Sequence, residues 1–500
     1  MPVLAGWLVP HPPLIFPEVG RGKQNEIAAT VAAYRRFGEE IAEAGAETVV
    51  IISPHAQMYA DYFHVSPGSG AHGDMRRFGA RDVDVEAVYD EEFARALEFA
   101  CESTGFPAGA QGERDKSLDH GTSIPVRFIN EAFYKGSRIG LTAGSADCRT
   151  APEGGHCHSD AAPDEGAICG MAPRYVRIGV AGLPLAAHYR LGQLIAEAAE
   201  HLGRRAVVVA SGDLSHKLDG EGPYGYAPEG PEFDKAIREI AGTADFSRLL
   251  SMDGAFCEKA GECGHRPLVV MAGALDKKAV APELYSYEGP FGVGYGIARF
   301  SVTGDDEGRA WLDRYLEKER ENAEERNRNE SPHVALARQT VESYVKTGRM
   351  YKAPEPLAEE LAETRAGVFV SIKKQGELRG CIGTISPVTG CVGEEIRANA
   401  VSAATRDPRF DAIGEDELPF LQYSVDVLAP AEPVESEDAL DPARYGVIVS
   451  LGGRRGLLLP DLDGIDDAET QVSIAMRKAG IAEKDRGKVK LERFEVIRHR

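Results

Sequence analysis

Three runs in the amino-terminal half are almost wholly apolar and rich in β-branched residues: ETVVIIS (Glu47 to Ser53), YVRIGVAGL (Tyr175 to Leu183) and RAVVVASGD (Arg205 to Asp213). Runs of this length without polar alternation suit strands buried on both faces of a sheet. Just before the first run stands EIAATVAAYRRFGEEIAEAG and just before the third YRLGQLIAEAAEHLG, whose apolar residues recur at three and four and which each close on glycine. That pattern predicts amphipathic helices ended by a left-handed cap. Strands alternating with helices require an α/β layer structure, in which ligands bind in the loops at the carboxyl ends of the strands.

Those ends carry the chemistry. LVPHPPL places His11 between prolines just after an apolar run, on a turn that cannot continue as helix. His55 follows VVIISP, and His216 closes VVVASGDLSH, where a strand runs into a Gly-Asp turn. His120 stands in SLDHGTSIPV beside Asp119, and AGECGHRP puts Glu262 and Cys263 in a small-residue turn before the apolar LVVMAGAL. One such histidine is more often a satisfied loop residue than a ligand. Four of them with an acid form a set: two neutral imidazoles and one carboxylate make the facial triad that holds Fe(II) for oxygen chemistry. A further histidine outside the triad then serves as a base near neutral pH.

The remaining features bound the setting. Five hundred residues exceed what one hydrophobic core organises, so at least two domains are expected. A net charge of −22 argues against binding nucleic acid or anionic membrane. No apolar run approaches a membrane span, no secretory leader is visible, and eight cysteines form no dense disulfide framework. A cytoplasmic protein is the expectation. The Gly/Ala/Pro-rich insertion 143–173 holds Cys148, His156, Cys157, His158 and Cys169, but their irregular spacing favours a loop over a zinc site.

From Asp305 to Glu330 the chain is nearly all charge, WLDRYLEKERENAEERNRNE, which reads as a solvated helix or linker. Ser331-Pro332 then looks like a helix cap with proline at the first helical position. Strands follow at GVFVSIKK, LQYSVDVLAP and YGVIVSLGGRRGLLLP, the last a hairpin joined through Gly452-Gly453-Arg454-Arg455-Gly456. ELRGCIGTISP sets Arg379 and Cys381 on a strand-to-turn segment, where Arg379 would favour the thiolate of a nucleophilic Cys381. A buried structural thiol is an equal reading. Arg406, Asp407 and Arg409 in TRDPRF either line the same cleft or form a surface ion pair.

The motifs VPHPPL, ISPH, LDHG, SGDLSH and ECGHRP, in this order, resemble the class III extradiol dioxygenases, the LigB-like and Memo-like proteins. The resemblance covers residues 1–304. It implies an α/β fold and a catecholic or other phenolic substrate, with Fe(II), or another divalent metal, on His11, His55 and Glu262. It also implies a catalytic His216 and a substrate-side His120. The Memo-like branch carries a cysteine before the glycine, so Cys263 is the alternative third ligand.

RGCIG, SAATRDPRF and YSVDVLAP resemble the AMMECR-type domain, over residues 331–500, with residues 305–330 as linker. That family implies an α+β fold around an antiparallel sheet, without an established activity. The two together are similar to the dioxygenase-fused form of the AmmeMemoRadiSam system protein A family. This resemblance implies an association with a radical SAM protein and Memo-like proteins. The chain has no CxxxCxxC of its own. Two functions follow: a ring-cleaving enzyme, or a metal-binding accessory protein for a radical SAM enzyme. Assembly as a homo-oligomer is open.

Overall fold

The structure, a computed structural model, describes residues 2–137, 172–353, 356–374, 377–462 and 464–500. The Cys148, His156, Cys157, His158 and Cys169 stretch lies outside the described residues. Two compact units meet in the sequence between Tyr315 and Leu316. The charged segment does not begin as a linker. Asp305 ends a strand, and Trp311–Asn329 is one helix whose first turn belongs to unit 1. Trp311 anchors that turn, its backbone N–H donating to Asp276 at 3.2 Å.

Unit 1 is built on a six-stranded sheet. Its strands are β1 (Val3–Val9), β2 (Thr48–Ser53), β3 (Arg174–Gly179), β4 (Ala206–Ser211), β5 (Lys278–Glu288) and β6 (Tyr295–Asp305). Their order is β3-β2-β4-β1-β6-β5. The first four are parallel, and the last two close one edge as an antiparallel pair. Every residue of β2 and β4 is buried, as the unbroken apolar runs require.

Helices cover both faces. On one, α1 (Ala28–Glu43) and α2 (His120–Ser137) bring Tyr34, Phe37, Ile124 and Ile129 onto Trp7, Val49, Ile51 and Val209. On the other, α3 (Leu185–Leu202) packs with α4 (His265–Ala274), and α4 lies on β1 and β4. Because β2, β4 and β1 are adjacent and parallel, the loops holding His55, His216 and His11 emerge side by side at one edge. No helix among the described residues is long and apolar enough to cross a membrane.

Unit 2 contains two four-stranded antiparallel sheets. The first orders β7 (Val368–Lys374), β8 (Glu377–Gly383), β9 (Leu421–Leu428) and β14 (Val496–His499) as β8-β7-β9-β14. The second orders β10 (Glu432–Val434), β11 (Gly446–Leu451), β12 (Arg454–Leu458) and β13 (Lys490–Phe494) as β10-β13-β11-β12. The hairpin turn is tighter than the sequence implies. Only Gly452 and Gly453 form it, and Arg454 already pairs with Leu451. Gly452 takes a φ of 61°, which a two-residue turn demands and glycine supplies without strain. Ser331 caps the helix Pro332–Thr347 as expected, its hydroxyl accepting from the Val334 N–H at 3.3 Å.

Candidate metal centre

His11 sits on the turn after β1 and is 2% exposed. Its backbone N–H donates to Asp213 Oδ1 at 2.7 Å, so the loop after β4 holds the loop after β1 in place. Ser211, the last residue of β4, donates its hydroxyl proton to the Gly121 carbonyl at 2.6 Å. The same hydroxyl lies 3.1 Å from His11 Nδ1 and, with its one proton used, accepts there. His11 is thereby fixed with its proton on Nδ1 and a bare lone pair on Nε2. That is the tautomer of an imidazole ligand.

The lone pair points into a cluster. His55 Nε2 is 3.0 Å from His11 Nε2, and His120 completes a group whose ligand atoms all lie within 4.8 Å of one another. The His55 and His120 rings stack at 4.2 Å, with His11 edge-on to both. His120, read as a loop residue in the sequence, opens α2, and Asp119 fixes that helix start. Asp119 accepts from the Thr122 N–H at 2.9 Å, from the Thr122 hydroxyl at 2.8 Å and from the Ser53 hydroxyl at 2.6 Å. The buried guanidinium of Arg177 lies 3.9 Å from the same carboxylate. Gly121 makes the approach possible, since a Cβ there would meet Ser53 Oγ at 2.5 Å and His11 Nδ1 at 3.3 Å.

The turn before α4 sends its two neighbouring side chains in different directions. Gly212 and Gly264 approach so closely that a Cβ on Gly212 would lie 2.2 Å from the Gly264 Cα. This contact sets Cys263 against the loop after β4: its sulfur accepts from the Asp213 N–H at 3.2 Å. The sulfur stands 3.5 Å from His11 Nε2 and 3.9 Å from His216 Nε2. Glu262, the carboxylate favoured from the sequence, turns to α4 instead and accepts from the His265 N–H at 2.6 Å. It groups with Cys257 and His265, not with His11 and His55. The physical reason is local: the Gly264 and His265 amides at the helix start need an acceptor, and the carboxylate supplies it.

His216 stands outside the three-histidine group, packed against Tyr224 at 5.2 Å. Its Nε2 lies 4.0 Å from Asp213 Oδ2. Asp213 is a site residue that the sequence reading left without a role. The turn motif Ser-Gly-Asp was its signal.

Burial dominates the electrostatics. It holds His11 well below the ordinary histidine range, with His55, His120 and His216 adding repulsion. It lowers His120 to about 4 and lowers His55 and His216 as well. All four rings are neutral near pH 7, the form that binds metal. Burial also raises the Asp213 and Glu262 carboxyls, each to about 7, and pushes the Cys263 thiol well up. The donor set fits a divalent ion: three imidazoles converge, the Cys263 sulfur lies 3.5 Å from His11 Nε2, and no Lys or Arg among the described residues bears on the three rings. A metal there would displace the thiol proton, since the thiolate is the ligand.

In unit 2, Cys381 lies on β8, its backbone N–H donating to Asp407 Oδ2 at 2.8 Å and its sulfur 3.2 Å from Ser371 Oγ. Arg379 does not serve that thiol. The ladder slips between Ile372↔Gly380 and Lys373↔Leu378, leaving Arg379 as the extra residue of a bulge. Its guanidinium runs to Glu417 at 2.9 and 3.0 Å and to the Asp411 carbonyl at 2.8 Å. A bulge re-aims a side chain in this way, which residue spacing alone does not reveal. Arg409 takes the place beside Cys381, paired with Asp407 at 2.7 Å, while Arg406 is exposed.

Comparison with known proteins agrees with this division. The family model of the catalytic LigB subunit of aromatic ring-opening dioxygenase matches residues 5–152 and 175–298, and the AMMECR1 model matches residues 334–499. A protein of Clostridium acetobutylicum is 36% identical over 99% of this chain and 98% of its own length. A protein of Thermotoga maritima is 48% identical over 34% of this chain and 98% of its own. The crystal structure of an uncharacterized protein from Pyrococcus horikoshii shares 31% identity over 33% of this chain and 88% of its own, with a TM-score of 0.32. The chain belongs to the family of the catalytic LigB subunit of aromatic ring-opening dioxygenase, with an AMMECR1 domain in the same polypeptide.

Proposed function

We propose that unit 1 is an Fe(II)-dependent ring-opening oxygenase acting on a catecholic or other phenolic substrate. The observation that carries this reading is the facing of the His11 and His55 Nε2 atoms at 3.0 Å, within a cluster of neutral imidazoles at the carboxyl edge of the sheet. His11 and His55 would hold the metal, with His120 or Cys263 beside them. Iron so held supplies a Lewis acid for phenolic oxygens and a redox centre for O2. His216 lies outside the group and is neutral near pH 7, so its Nε2 can take a proton from a phenolic hydroxyl and later return it. Asp213 Oδ2 is near enough to steady the imidazolium formed. Exposed Phe78 and Tyr224 flank His120 and His216 at 5.3 and 5.2 Å and offer aromatic faces to a planar ring.

A second reading has one observation in its favour. The Cys263 thiol rather than the Glu262 carboxylate faces His11, and thiolate ligands suit softer metals than oxygen-activating triads do. Under it the protein binds metal as an accessory to a radical SAM enzyme and Memo-like proteins, without using O2.

One experiment separates the two. The apoprotein is loaded with Fe(II) under anaerobic conditions and then given O2 with a panel of catechols. Substrate-dependent O2 consumption with a ring-opened product supports the enzyme. Stoichiometric metal binding with no consumption on any catechol supports the accessory.

A further inference from the structure

Unit 2 encloses a cleft of about 1570 Å³, large enough for a drug-sized molecule. Phe369, Ile385, Tyr423, Leu457 and Leu459 give it an apolar wall. Cys381, Arg409 and Lys478 meet at another side of it. We propose that this cleft binds a small anionic ligand with an apolar body, its carboxylate or phosphate group lying between Lys478 and Arg409 beside the Cys381 thiol.

The charges point that way. Four carboxylates line the cleft: Asp426 is held by Arg498 at 2.8 and 3.1 Å, Asp461 by Arg498 at 3.4 Å and Glu330 by Arg338, while Glu325, exposed on the helix Trp311–Asn329, is not among the groups that act on Lys478. Arg409 is oriented by Asp407, which donates nothing to the cleft because both its oxygens are committed to Arg409 and to the Cys381 N–H. Among the described residues, Lys478 has no such partner. The side chains bearing on its ammonium are those of Cys381 and Arg409, and no carboxylate among the described residues acts on it. Partial burial lowers its pKa, although the residue as a whole stays exposed. One guanidinium, one ammonium and a single carboxylate leave this side of the cleft with an uncompensated positive charge. An anion restores the balance, and a guanidinium beside an ammonium is a common cradle for carboxylate or phosphate. Ser371 Oγ, 3.2 Å from the thiol, adds a hydroxyl to the same corner.

The thiol itself reports on this field. In the full-length protein, Cys381 is alkylated with iodoacetate and, separately, with neutral iodoacetamide, and site-resolved rates are read by peptide mass spectrometry. In either reaction the thiolate sulfur forms a bond to carbon, iodide leaves, and buffer takes the thiol proton. Cys391, half-buried in the same unit, is the internal reference. The iodoacetate-to-iodoacetamide rate ratio should be roughly fivefold or more higher at Cys381 than at Cys391, since one uncompensated charge at a few ångströms has about that effect. Lys478→Ala, at an exposed position, should bring the ratio down toward the reference, and Arg409→Gln should lower it as well. In the wild type, millimolar inorganic phosphate or succinate should slow iodoacetamide labelling of Cys381. Slowing by phosphate alone identifies a phosphate-bearing ligand, and slowing by succinate alone a carboxylate. Equal ratios at the two cysteines, ratios unchanged in both variants, or slowing by neither anion would overturn the proposal.

Discussion

Cys263 Sγ stands 3.5 Å from His11 Nε2 across a sequence separation of 252 residues, while its neighbour Glu262 faces the other way into the start of α4. Adjacent residues in a turn thus divide two tasks, one at the histidine cluster and one at a helix end. The division can be measured. Cys263→Ser should change the metal preference or weaken binding of the loaded protein, as read by metal analysis. Glu262→Ala should keep the metal and lose about 1 kcal/mol of stability, the usual worth of a helix-start acceptor. Metal loss in the Glu262 variant with none in the Cys263 variant would reverse the assignment.

A second expectation concerns Ser211, whose hydroxyl never meets the open site yet fixes the His11 tautomer through its bond to Gly121. Ser211→Ala leaves His11 free to carry its proton on Nε2. Metal affinity should fall about 10- to 100-fold, the usual effect of losing such an outer partner. Equilibrium dialysis against a competing chelator reads this directly, with circular dichroism to show the fold retained. Affinity within twofold of wild type would sink the tautomer argument.

His216 should separate binding from turnover. Because it lies outside the group of His11, His55 and His120, His216→Ala should keep its metal. Its turnover on a productive catechol should drop on the order of 10²- to 10⁴-fold, the range typical of a general acid–base group. Should the variant lose metal as fully as His55→Ala, the histidine is a ligand.

The Asp213 carboxyl gives the metal-free protein a pH signature. Burial raises its folded pKa to about 7, above the ordinary value near 3.9 of an unfolded aspartate. Between those values the folded state binds the extra proton, so stability falls as pH rises from about 4 to about 7. Below the unfolded pKa both states are neutral and there is no penalty. Above the folded pKa the penalty is complete. Asp213→Asn keeps an acceptor for the His11 N–H and removes the titration. Its denaturant midpoint, relative to wild type, should therefore climb across that pH window. A constant difference between the two proteins from pH 4 to pH 8 would contradict it.

The buried strands, the helices between them, the Ser331 cap and the strand-end position of His11, His55 and His216 were legible in the linear chain. Each follows from short-range rules: apolar runs, periodicity of three and four, proline and glycine punctuation. Motif order likewise pointed to the two families that comparison then showed. What only the folded chain decided was direction. Cys263 against Glu262, Arg409 against Arg379, and the part played by Asp213 all turn on which group lies nearest in space. The Gly212–Gly264 contact, the bulge at Arg379 and the adjacency of β2, β4 and β1 settle those choices. Each joins residues far apart in sequence, so local propensity carries no record of them. A side chain's partners are fixed by packing, and packing is a property of the whole fold.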